Sequence, residues 1–265
     1  MKTLKLNEDL YEIPGTWNEL TMKQLVFLIH LTEKPLTAEE IKLKMLLFCL
    51  PAHVRRYRTL LTGALRYTVV AGKHKYYEFS AEEMLAVCDL FSFLFSGHDK
   101  KLSIHPQLTV NPFRTTRCGC HRVYGPDDAL MDITYEEFAF LLTYFQHMQS
   151  HPDAIHDFLS VIYRTRRDRE CGKRNPEMMR KMSPTVKTAA LWHFLGAIQF
   201  LAEKFPRTFS GGEPSSGNVF ESQMRVIDAL ASNDVTKKET VKKSLLYDAL
   251  YTMECAAENA EKMKK

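Results

Sequence analysis

Apolar residues recur at helical spacing along most of the chain, and short polar signatures announce where each run begins. Leu25, Leu28, Ile29 and Leu31 fall on one face of a predicted helix that Pro35 ends. Before them stands Thr21-Met22-Lys23-Gln24, which has the spacing of a capping box. There the hydroxyl accepts from one free backbone N–H and the third side chain reaches back to another. The spacing recurs with Thr37 and Glu40, Ser80 and Glu83, Thr134 and Glu137, and Thr236 and Glu239. Together with the apolar periodicity it predicts helices over about residues 37–50, 80–95, 134–149 and 236–263. Further helices are expected at about residues 53–65, 152–164, 186–205 and 219–231.

Two stretches break this texture. "RYTVVAGKHKYYEFS" is rich in Val and Tyr around an Ala-Gly turn, the pattern of a short hairpin. Residues 102–124 carry Pro106, Pro112, Gly119 and the alternating "QLTVNPF", and read as loops with short strands. "SGGEPSSGN", from Ser210, has the composition of a flexible loop. The predicted fold is mainly α, an irregular multi-helix bundle with a minor β-hairpin or short-strand element. The expected division is a helical domain over residues 1–163, a basic linker over 164–187 and a helical region over 188–265.

That linker is where charge enters. Residues 164–187 hold nine Lys/Arg against three Asp/Glu, a surplus of six where the whole chain has +4. Arg164, Arg166, Arg167, Arg169, Lys173 and Arg174 are therefore the candidate contacts to nucleic acid or to a protein partner. The cluster lacks interleaved aromatics and any groove-reading motif, which favours the protein partner. A second candidate surface is the apolar stripe of the last helix, with Leu246, Leu250 and Met253 as its centre; it fits either the protein's own core or a partner helix.

Chemistry is otherwise sparse. Apolar content of 45% and charged content of 26% exclude wholesale disorder. No apolar run reaches membrane-spanning length, and the first fifteen residues lack the apolar stretch of a secretory signal. Cys49 and Cys88 lie within apolar helical patterns, so a reducing cytoplasm is expected. Cys118-Gly119-Cys120-His121 is the sharpest metal-like spacing. Zinc needs four ligands, though, and no second cysteine pair exists; His105 and Cys171 would have to be recruited by the fold. The competing reading is a loop with two free thiols. His147, His151 and His156 are close in sequence without a diagnostic acidic partner. No H-E-x-x-H, nucleophile elbow, P-loop or G-x-G-x-x-G occurs. The chain therefore reads as a non-enzyme that needs no cofactor.

The order of several segments carries a resemblance. "IPGTWNELTMKQ" comes first, then "YGPDDALMDITYEEF", "DAIHDFLSVIYR" and finally "NDVTKKETVKKSLLYDALYTMECAAENAE". This order resembles helical proteins encoded by tailed phages and prophages of Bacteroidetes-type bacteria, some of which look like tail-assembly chaperones. The resemblance implies a partner that is another phage structural or assembly protein, such as the tape-measure protein, met in the host cytoplasm. Neither Cys118–His121 nor the basic cluster belongs to the shared pattern.

Overall fold

Lys2–Leu6 (β1) and Asp9–Ile13 (β2) form an antiparallel hairpin, with Lys2 opposite Ile13 and Leu6 opposite Asp9. Asn7 turns it at φ 55, a left-handed conformation that asparagine tolerates better than most residues. The computed structural model describes residues 1–50, 52–59, 65–71, 75–97, 103–167, 174–210 and 219–263. These fall into two compact units, Met1–Pro106 and Gln107–Lys265. The chain is mainly α, with small antiparallel sheets.

In the first unit, helices Met22–Thr32 (α1) and Ala38–Cys49 (α2) each start in a complete capping box, at Thr21 and Thr37. A three-stranded antiparallel sheet follows, formed by Ala52–Thr59 (β3), Leu65–Ala71 (β4) and Lys75–Ser80 (β5) in that order. The hairpin expected from the Val/Tyr-rich stretch is thus β4 with β5. The helix expected at 53–65 is corrected, because its first half is β3. Val54, Tyr57 and Thr59 are strand formers, and no capping box precedes them. What decides the matter is a backbone partner, β4, whose second edge β3 occupies.

Ser80 supplies another complete capping box, for Ala81–Cys88 (α3). The predicted continuation to residue 95 tightens into a 3-10 turn at Asp89–Leu94, then pairs as Phe95–Ser96 (β6) with Ser103–Ile104 (β7). Trp17 is buried beneath this turn and donates its indole N–H to the Phe93 carbonyl at 3.1 Å.

The second unit opens with Thr115–Cys118 (β8) and His121–Tyr124 (β9), then Tyr135–His147 (α4) from the Thr134 box and Ala154–Ile162 (α5). A short helix, Pro176–Met179 (α6), leads to the long Pro184–Lys204 (α7), capped by Ser183. Then come Pro206–Ser210 (α8), Val219–Leu230 (α9), Val235–Lys243 (α10) and Leu246–Met263 (α11). The basic stretch expected to link two domains begins inside this unit, since Arg164 closes α5 and pairs with Tyr124 through two 2.8 Å backbone hydrogen bonds. The glycine-rich loop after Ser210, residues 211–218, lies outside the described residues.

Helix α7 buries Trp192, His193 and Phe194 in succession, so it is covered around more than half its circumference. Gly196 lets it cross the chain at Leu108, where an added Cβ would lie 2.4 Å from the Leu108 nitrogen. One turn earlier, His193 Nε2 donates to the Thr109 carbonyl at 3.0 Å.

The long terminal helix predicted over 236–263 is also corrected. It breaks at Ser244–Leu245, where Tyr135 N donates to Ser244 O and Leu246 N to Ile133 O, each at 3.0 Å. The starts of α4 and α11 thereby share one antiparallel bridge, Thr134 to Leu245. The predicted Thr236 capping box does not form. Asp234 caps α10 instead, accepting from Thr236 N at 2.9 Å.

Two outcomes follow for the second unit. Thr134→Ala removes a formed cap and should cost about 1 kcal/mol in urea unfolding, whereas Thr236→Ala should stay within about 0.5 kcal/mol. Burial pushes the His193 imidazole down to about 4 against an ordinary 6.5, with the Thr109 carbonyl resisting that shift. The unfolded chain then takes up a proton that the folded one refuses. Stability is therefore complete above pH 6.5 and falls as pH drops towards 4, by up to about 1.4 kcal/mol per pH unit. Denaturation of His193→Gln between about pH 5 and 7 should show a shallower slope than the parent.

Candidate partner-binding surfaces

The basic stretch does not form one surface. Arg164 is 2% exposed, and its guanidinium pairs with the Glu137 carboxylate and the Ser160 carbonyl. It is removed from the contact residues, because a cation buried against a carboxylate cannot meet a phosphate. The same Glu137 side chain accepts from Thr134 N at 3.1 Å and completes the α4 capping box. Arg174 lays its guanidinium 4.5 Å over the Phe140 ring, a cation–π contact. Arg166 and Arg167 are exposed. Arg169 and Lys173 lie outside the described residues.

Cys118-Gly119-Cys120-His121 is the turn of the β8–β9 hairpin. Cys118 pairs with His121, and Gly119 at φ 63 takes the first central position, where a type II′ turn needs glycine. The Cys118 thiol is buried and donates to the Met178 carbonyl at 2.7 Å, and burial pushes its pKa up. Cys120 and His121 are exposed. Among the described residues, no three His, Cys, Asp or Glu side chains are grouped to hold a metal. Cys171 lies outside them.

The three neighbouring histidines do meet. His147, His151 and His156 line a surface pocket of about 340 Å³ with Asp153, Asp157, Glu177 and Arg180. His156 is already engaged, by Lys187 Nζ at 3.1 Å and the Asp153 carbonyl at 3.0 Å. The pocket mixes both signs of charge and contains no serine or cysteine nucleophile among its lining residues.

In α11, Leu246 and Leu250 are 0% and 2% exposed and belong to the core that includes Ile133, Phe158, Phe194 and Leu201. They are core rather than partner face, the first of the two readings open from the sequence. Met253 is half-buried and packs at the edge of that core. Glu254 ties the helix to α8, accepting from Thr208 N and Thr208 Oγ1 at 2.9 Å each. No helix of the described residues is long and apolar enough to cross a membrane.

The open apolar surface lies elsewhere, between α1 and α2. Phe27 and Phe48 stack there with ring centroids 4.3 Å apart, and Phe48 is 38% exposed. With Leu47 and, beneath them, the buried Leu31 they line a groove of about 640 Å³. The sequence reading missed it because it scored α1 and α2 for the faces they bury. The signal was present as aromatic residues on the opposite side, at Phe27 and Phe48.

The buried ion pair gives a stability test. Glu137→Ala takes the Glu137 carboxylate away from the buried Arg164 guanidinium, and should cost about 3–5 kcal/mol in chemical denaturation. Glu137→Leu combined with Arg164→Met removes both charges and should lose less than Glu137→Ala alone.

No protein-family model, curated protein or solved structure matches the chain.

Proposed function

We propose that this protein is a non-enzymatic binder of another phage protein, and that it acts in the host cytoplasm as a tail-assembly chaperone for the tape-measure protein. The observation that carries the binding role is the α1–α2 groove, where a stacked aromatic pair and Leu47 form an apolar floor over the buried Leu31. A helix laid in such a groove buries its apolar face without any chemistry from the host protein. The order of sequence segments, which resembles that of the phage proteins, supports the choice of partner. The rival nucleic-acid reading is weakened by the use of Arg164 inside the core and of Arg174 on Phe140.

Co-expression with the tape-measure protein of the same genome tests the proposal. The expected result is a co-purifying complex and a larger soluble fraction of the tape-measure protein. A tape-measure protein that stays insoluble and unbound in the presence of excess partner would sink the chaperone role.

A further inference from the structure

The groove between α1 and α2 has a rim as well as a floor. On α1, Lys23, Phe27 and Leu31 follow one another at intervals of four residues, which sets them on one stripe, and Lys34 stands two residues past the helix end. On α2, Lys44, Leu47 and Phe48 form the facing stripe. Lysine therefore stands at the start of the α1 stripe, just past the end of that helix, and again on the opposite wall. The floor between them is apolar and aromatic.

These lysines differ from others in the same unit. Lys42 bonds Glu39 at 2.9 Å and Asp89 at 3.0 Å, and Lys75 pairs with Asp9. Lys23, Lys34 and Lys44 make no ion pair with any described residue. Lys44 is partly offset by the Glu40 carboxylate one turn earlier on α2, and the three cations around one apolar groove still leave a positive potential at its mouth. A partner that supplies both apolar side chains and carboxylates offsets that potential as it binds.

From this charge complementarity we infer that the groove takes an amphipathic helix of another protein, about three turns long, with an apolar stripe flanked by Asp or Glu. The inference rests on the partner-binding reading above and specifies the chemistry of the partner segment. Two phenyl rings and Leu47 receive the stripe, while Lys23, Lys34 and Lys44 face acids on its flanks. The lysines also set direction of preference, since a basic amphipathic helix of equal hydrophobicity meets like charge at three points.

Three synthetic helical peptides of about 18 residues test this, each with the same Leu/Phe stripe and with flanks of Glu, Gln or Lys. Binding to the full-length protein is read by fluorescence anisotropy. The Glu peptide should bind about tenfold more tightly than the Gln peptide and the Lys peptide more weakly still, with the preference shrinking in high salt. Lys23→Glu combined with Lys44→Glu should reverse the order, and Phe48→Asp should abolish binding of all three. Should Phe48→Asp fail to fold by circular dichroism, the charge-reversed variant carries the test alone. Equal affinity for the three peptides would overturn the inference. So would concentration-dependent dimerisation lost in Phe48→Asp, which would make a second copy the occupant, or Phe48-dependent binding to phosphatidylserine vesicles without peptide selectivity. Failure of the tape-measure protein to co-purify while the Glu peptide still binds would remove the chaperone role and leave the groove's preference standing.

Discussion

The second unit hangs on one carboxylate. Glu137 sits in the first turn of α4, where it both caps the helix through Thr134 N and neutralises the buried guanidinium of Arg164. Each task fixes the other. The cap holds the carboxylate at the helix start, and the arginine there brings the end of α5 against it. Arg164 in turn joins its backbone to Tyr124, so the β8–β9 hairpin is fastened to the same point. Thr134, the other half of the cap, is bridged to Leu245 and hence to the beginning of α11. Four elements distant in sequence converge on a pair that would be costly to bury if either member were missing.

How legible this was depended on the range of the interaction. Capping boxes are contained in four consecutive residues, and those at Thr21, Thr37, Ser80 and Thr134 form as their spacing implies. Thr236 fails by the same local logic, because Asp234 stands two residues earlier and takes the cap. Interactions between distant residues were not readable in this way. Nothing within residues 53–65 announces β4, the strand that makes β3 a strand. A charge count around Arg164 treats it as one of a basic crowd, whereas its partner lies twenty-seven residues upstream. The Cys118–His121 spacing looked like chemistry, and it is met by turn geometry around Gly119 with one thiol packed on Met178.

The two helical surfaces considered for binding separate on the same physical ground. An apolar stripe is ambiguous until the fold shows what covers it. On α11 the cover is the rest of the second unit, down to full burial of Leu246. On α1 and α2 the inward faces are spent on the first unit's own packing, with Leu25, Leu28, Met45 and Leu46 all buried, and a second set of apolar residues remains on the outside. A helix hydrophobic on two sides needs something beyond its own core to justify the second.

The bridge between Thr134 and Leu245 also sets an order of events during synthesis. Every contact internal to the first unit is available once its 106 residues have emerged, so it can close while the remainder is still being translated. The second unit has no such early option. Its main-chain bonds from Ser244 and Leu246 reach back more than a hundred residues, and Leu246 and Leu250 fill the middle of its core. Until α11 leaves the ribosome, α4, α5 and α7 can pack on one another, but the part of the core that Leu246 and Leu250 fill stays open, and such open apolar surface is where a nascent chain aggregates.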